Sequence, residues 1–352
     1  MKITFRWYGP GDRIPLDYIR QIPGMTGVVS AVYSCPPGEV WPMEEITALR
    51  DAAKAAGLDF DVVESVPVHE DIKRGAPDAA RYIRNYAETI RRLGAAGVRV
   101  VCYNFMPVFD WLRSDLARRR PDGSLALAYD DATVRGMNPL ESELSLPGWD
   151  ESYTKAELRG LIEQYRTVDE EALWRNLGTF LDGVIPACEE SGVRLAIHPD
   201  DPPWGIFGLP RIITSEESVA RLFALNPSPC NGLTLCFGSL GASPENDLEH
   251  IIRRFGSDRI PFVHARNVQW TGDHCFEEAG HRSADGSLDL YALLRALYET
   301  GFDGYIRPDH GRMIFGETGC GGYGLYDRAL GAAYLNGLWE AIEKEDAHHG
   351  KI

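Results

Sequence analysis

Four apolar runs in the later part of the chain each deliver a residue able to bind a metal ion. VRLAIHP carries His198, LTLCFG carries Cys236, PFVHARN carries His264, and YIRPDH ends in Asp309 and His310. Two imidazoles, one thiol and one carboxylate gathered on a cation make a Lewis-acid site, which polarises a substrate oxygen and stabilises negative charge developing beside it. A donor set mixing nitrogen, sulfur and oxygen suits Zn²⁺, Fe²⁺, Co²⁺ or Mn²⁺ better than Ca²⁺ or Mg²⁺, for which oxygen dominates. A single His, Cys or Asp in a strand is more often packed than ligating; four at equivalent places of successive units make a stronger case.

Those equivalent places come from the elements around them. Each run is strand-like in length, rich in apolar and β-branched residues, and followed by a stretch long enough for a helix, the pattern of successive β/α units. Earlier strand candidates are Ile3–Tyr8, Gly27–Tyr33, Leu58–Glu64 and Val98–Asn104, and a helix is predicted from Met43 to Ala56. Gly57, Gly97, Gly192 and Gly301 each stand between a helical pattern and a strand start, where a left-handed residue stops the helix and turns the chain. Eight such units predict a (β/α)8 TIM barrel, with an open doubly wound sheet as the competitor. In a barrel the strands run one way, so residues at their C-terminal ends meet at one mouth however far apart they lie in sequence. Strand alternation further predicts that His264 shares a face with Arg266, and Arg307 with Asp309. A buried arginine requires an anionic partner, and Asp309 is available to Arg307.

Length and composition allow one domain over residues 1–352, with 44% hydrophobic content to fill its core. The spacing breaks once, at residues 105–170 after the fourth strand, an insertion expected to serve as a lid or an oligomer contact, and the protein is expected to be a homo-oligomer. Arg118-Arg119-Arg120 within it reads as a solvated helix end. The polar tail after Trp339 is expected to end the last helix and fray. A net charge of −16 opposes nucleic acid and anionic membranes as partners. The start MKITFRWYG enters a strand pattern directly, and no apolar run spans a bilayer, so a cytoplasmic protein is expected. Seven widely spaced cysteines suit reduced thiols, which leaves a thiolate ligand available.

Several motifs also carry a family resemblance. HPDDPPW at His198, GLTLCFGSLG at Cys236, FVHARN at His264, and RPDHG followed by GGYGLYDRALG resemble the mannonate dehydratases, and the likeness runs from MKITFRWYG to the final helix. The resemblance implies a xylose-isomerase-like barrel, a divalent metal, Mn²⁺ or Fe²⁺, and loss of water from D-mannonate to give 2-keto-3-deoxy-D-gluconate. It also implies His198, Cys236, His264 and Asp309 as ligands, with His310 and Tyr323 as proton-transfer residues.

The residues suit that chemistry on their own terms. Removing a proton beside a carboxylate creates an enediolate that a metal stabilises with help from arginine, and the departing hydroxyl needs an acid. His310 follows Asp309 directly and titrates near neutrality, and Tyr323 is a second proton carrier provided the metal or an arginine lowers its phenol pKa. Tyr323 lies in the glycine-rich GETGCGGYG, which follows the last strand and so reads as a mobile loop over substrate, not as a dinucleotide loop. Arg266, Asn104, Glu64, Trp111 and Arg307 are candidates for substrate binding, the substrate being a small sugar acid. Two other functions fit the same residues less well: a sugar isomerase or epimerase on the same barrel, and a non-catalytic sugar-acid binding protein.

Overall fold

The computed structural model describes residues 1–139 and 154–349. Most of the segment GMNPLESELSLPGWDES in the insertion lies outside them. Eight parallel strands close a barrel: β1 (Lys2–Arg6), β2 (Met25–Ser30), β3 (Asp59–Glu64), β4 (Val100–Tyr103), β7 (Arg194–Ile197), β8 (Asn231–Cys236), β9 (Phe262–His264) and β12 (Tyr305–Arg307), with β12 pairing back onto β1. The open-sheet alternative is thereby excluded. These strands are apolar almost throughout because both of their faces are covered. Val29, Val62, Val100, Cys102, Ala196, Phe262 and Tyr305 fill the inside of the barrel, and the outer faces meet the ring of helices.

Helix boundaries follow local chemistry. Asp169, Asp247 and Asp289 each accept a backbone N–H at the start of the helices Glu170–Ser191, Leu248–Arg259 and Leu290–Glu299. Gly57, Gly97, Gly192 and Gly301 all take positive φ, between 64° and 98°, where the helices stop. The last helix, Tyr326–His349, does not end after Trp339. The polar residues of its final turns are taken up by the neighbouring helix, with Arg295 Nη1 2.9 Å from Glu345 and Tyr298 OH 3.2 Å from Asp346.

A second sheet, absent from the expectations, stands at the C-terminal mouth. One half is β5 (Asp115–Arg119) and β6 (Leu125–Asp130), which follow β4; the other is β10 (Val268–Gly272) and β11 (Cys275–Glu278), which follow β9. They pair antiparallel in the order β10-β11-β6-β5, and Tyr129 opposite Phe276 stacks ring on ring at 5.7 Å. The β5–β6 turn is Arg120-Pro121-Asp122-Gly123, in which the Gly123 N–H donates to the Arg120 carbonyl at 2.9 Å. Arg118 and Arg119 therefore lie in a strand and not at a helix end, and Arg120 Nη1 pairs with Glu277 at 2.7 Å.

Two strands are shorter than expected. β9 stops at His264, and β12 stops at Arg307 because Pro308 has no N–H to donate and Asp309 takes φ 47°. Alternation therefore does not place Arg266 or Asp309, and loop geometry does.

Candidate metal centre and active site

The four expected ligands lie near one another at the C-terminal ends of the barrel strands, Cys236 and His264 as the last residues of β8 and β9 and His198 and Asp309 just beyond β7 and β12. His198 Nδ1 lies 2.7 Å from the Pro199 carbonyl and so carries the proton, leaving a lone pair on Nε2. His264, wholly buried, turns Nε2 toward Glu64 Oε2 at 3.3 Å and Nδ1 toward His198 Nε2 at 3.2 Å. Asp309 Oδ2 stands 3.8 Å from His264 Nδ1 and 3.9 Å from Cys236 Sγ. The donor atoms of His198, Cys236 and His264 all lie within 4.8 Å of one another. Atoms bound at about 2.0–2.3 Å to a shared ion sit roughly 3–4 Å apart. These three residues fit a divalent transition metal in donor type, and Asp309 stands beside them, outside the group that shares the 4.8 Å span.

Charge around the cluster favours ligation. Burial would raise the Cys236 thiol, yet Arg266 and His198 bring it well below its ordinary range. Burial would likewise lower His198, but the thiolate of Cys236 carries it up to about 9 in the absence of a cation. Asp309, 3% exposed, is an ionised carboxylate despite its burial because Arg307 Nη2 at 2.6 Å and Arg266 Nε at 2.8 Å flank it. Its left-handed backbone is a sparsely populated conformation for a non-glycine residue.

Beside the cluster stands a hydrogen-bonded pair. His310 Nε2 is 2.8 Å from the Tyr323 hydroxyl, and Trp111 packs on the His310 ring with centroids 4.9 Å apart. The expectation of a phenol lowered by arginine is not met: burial, then Tyr8 and Asp309, raise Tyr323 well above its usual value, and Arg307 and Arg6 offset only part of this. The Tyr323 hydroxyl is therefore protonated at neutral pH.

A cavity of about 630 Å³ opens over this pair and over His198 and Asp309, within the size range of small-molecule sites. Glu64, Asn104, Trp111 and Arg307 all line it. Arg307 binds Glu64 Oε1 through Nη2 at 3.0 Å, while its buried Nε and Nη1 have no hydrogen-bond partner among the described residues. Asn104 Oδ1 accepts from the Met106 N–H at 3.3 Å. Arg266 lies apart from the cavity lining. Its guanidinium is taken up by Asp201 at 2.6 Å, Glu278 at 2.7 Å and Asp309.

The D-mannonate dehydratase (UxuA) family profile matches residues 1–349. The chain belongs to the D-mannonate dehydratase family. It is 54% identical to mannonate dehydratase 2 of Halalkalibacterium halodurans over 97% of this chain and 99% of that one. Against the mannonate dehydratase of Thermotoga neapolitana the identity is 55%, with 98% of each chain covered. The crystal structure of mannonate dehydratase from Streptococcus suis serotype 2 superposes with a TM-score of 0.92 at 47% identity, covering 98% of this chain and 96% of that one. An L-ribulose 3-epimerase aligns with a TM-score of 0.56 at 14% identity, covering 99% and 97% of the two chains, which is a likeness of fold. The D-mannonate dehydratase chain is thus a hydro-lyase on a xylose-isomerase-like barrel, acting on a small sugar acid. Among its described residues no helix is long and apolar enough to cross a membrane.

Sequence reasoning missed several groups around this candidate site. Arg6 and Tyr8, at the end of β1, reach the cavity, with the Arg6 guanidinium 4.9 Å from the Tyr8 ring centroid and donating to the Glu64 carbonyl. Arg113, Asp201 and Glu278 form a buried ion network with Arg266, each bond near 2.8 Å. Asp201 was within reach, since it lies in HPDDPPW three residues from His198. Glu278 carried no such signal.

Proposed function

We propose that the chain dehydrates D-mannonate to 2-keto-3-deoxy-D-gluconate with a resident Mn²⁺ or Fe²⁺ held by His198, Cys236, His264 and Asp309. The observation that carries this reading is the 2.8 Å bond between His310 and Tyr323 at the edge of a nitrogen, sulfur and oxygen donor cluster. When bound, the metal supplies Lewis-acid stabilisation of the charge that builds on the substrate carboxylate side. The protein's own groups do the rest.

Arg307 offers its Nη1, which has no hydrogen-bond partner among the described residues, to the substrate carboxylate as a charged donor. Arg6 and Asn104 hold hydroxyl groups along the cavity wall, and Trp111 supplies an apolar side that keeps water from the His310 face. His310 and Tyr323 divide the proton transfers, one taking the C2 proton and the other delivering a proton to the C3 hydroxyl as it leaves. Glu64 turns His264 so that Nδ1 faces the ion, and Arg266 fixes Asp309 from behind. On this reading the chain is one domain and the 105–170 excursion serves as a lid, which is supported by Met106, Asp110 and Trp111 lining the cavity and by Trp111 packing on His310.

Incubating the purified, Mn²⁺-loaded protein with D-mannonate and following the 2-keto-3-deoxy acid by mass spectrometry tests the reading. Product that appears with D-mannonate and fails to appear with the His310→Asn variant supports it. Aldose–ketose interconversion in a parallel incubation with neutral ketoses, with D-mannonate left intact, would replace it by the isomerase alternative.

A further inference from the structure

We infer that Glu278 is the positioning residue for His310, holding the proton on Nδ1 so that Nε2 is the nitrogen that meets Tyr323. The inference rests on the proton-transfer reading of His310 given above and goes beyond it by naming the group that orients the ring.

Glu278 is 1% exposed and lies on β11, outside the barrel. Its Oε1 accepts from Arg113 Nη2 at 2.8 Å and Arg266 Nη1 at 2.7 Å, and stands 3.3 Å from His310 Nδ1. Burial alone would raise this carboxyl, but Arg266 and then Arg113 take it down to about 2. An ionised carboxylate has no proton to give. The ring nitrogen facing it must therefore be the donor, and Nδ1–H is the form the contact selects.

Other polar groups around His310 do not perform this task. Asp309 Oδ1 is 4.0 Å from Nε2, beyond hydrogen-bond reach, and Trp111 meets the ring through its aromatic surface. Turning the imidazole over would put carbon against a buried anion and break the 2.8 Å bond to Tyr323. The β5–β6 half of the second sheet secures Glu278 at both backbone and side chain. Arg120, in the β5–β6 turn, donates to the Glu278 carbonyl at 2.8 Å, while Arg113, just ahead of β5, donates to the side chain. The sheet thus acts as a mount that aims one side chain past the barrel rim at a loop following β12.

Neutron diffraction on deuterium-exchanged, metal-loaded crystals reads the proton directly. Deuterium on His310 Nδ1 directed at Glu278 is the expected result; a bare Nδ1 overturns the proposal, and this measurement does not depend on any variant folding. The second arm is Glu278→Gln, whose amide can offer His310 an N–H and so select the opposite tautomer. The expected result is a fall in kcat of at least about tenfold, with KM and bound metal within about threefold of the parent protein. Unchanged kcat overturns the proposal, and so does a kcat loss that tracks metal loss. Full activity in His310→Asn would instead remove the proton-transfer reading itself, so the two failures are distinguishable.

Discussion

His198 Nε2 and His264 Nδ1 stand 3.2 Å apart, each left with its lone pair inward by what its other ring nitrogen faces: the Pro199 carbonyl for one, Glu64 for the other. Two nitrogens so arranged repel unless a proton or a cation lies between them. Stripping the protein with a chelator is expected to abolish turnover, and Mn²⁺ or Fe²⁺ to restore it. Ion at a hundredfold excess over its Kd adds about 2.7 kcal/mol of stability, read as a higher thermal midpoint. Cys236→Ser should weaken binding of the ion at least about tenfold in a competition titration against a chromophoric chelator. Equal affinity in the variant and the parent would remove Cys236 from the ligand set.

Replacing Tyr323 by Phe deletes the hydroxyl that meets His310 and leaves the ring against Tyr8 and Trp111. A drop in kcat of about 100-fold or more is expected, the usual worth of a positioned proton donor or acceptor. Metal content and melting temperature should stay at the parent values. Steady-state kinetics on D-mannonate with metal analysis on the same samples decides it.

Gly238 packs its α-carbon against the Arg266 guanidinium, and a methyl group built there would meet it at 2.4 Å. An arginine at the surface would swing aside. This one is tied to Asp201, Glu278 and Asp309 and has nowhere to go. Gly238→Ala is therefore predicted to cost about 1–3 kcal/mol in urea unfolding, the range for an overfilled core. It should also loosen the ion, since Asp309 is displaced with its arginine.

Acid should unfold the protein through its second-sheet network. Glu278, held at about 2 by Arg266 and Arg113 against its burial, binds a proton more readily unfolded than folded, and Asp201 is depressed for the same reason by Arg113 and Arg266. Their contribution is fully present above the ordinary carboxylate range near about 4 and is lost as pH falls toward the folded values. The contribution of these two carboxylates should therefore be level from pH 8 to about 5, and the urea midpoint should decline from about 4.5 downward. A midpoint that stayed constant from pH 5 to pH 3 would contradict this.

The barrel was legible in the sequence because its signals are local. A glycine stop, a short apolar strand and a helix-length connection recur, and each can be recognised without knowing what packs on it. The candidate donors His198, Cys236, His264 and Asp309 were legible because the motifs carry them at or near strand ends. The second sheet was not, although Arg120-Pro121-Asp122-Gly123 between two short runs is a turn signal in its own right. Its basic run suggested a helix end, and its partner strands lie about 150 residues away in sequence, a distance over which pairing leaves no periodicity to read. Glu278 was missed for the same reason: nothing in CFEEAG distinguishes the second glutamate as buried, because its burial is created by Arg113 and Arg266 arriving from other elements. Arg266 and Asp309 reached the site by loops instead of by strand alternation, since both strands end earlier than their apolar runs suggested.

The antiparallel seam between β6 and β11 has a consequence for recombining this chain with its relatives. Any crossover between residues 131 and 267 would take Leu125–Asp130 from one parent and Cys275–Glu278 from the other, so that Tyr129 and Phe276, and Arg113 and Glu278, would be matched from different lineages. Hybrids that inherit both hairpins from a single parent keep those pairings intact, and the natural unit of exchange is a pair of segments far apart in the gene.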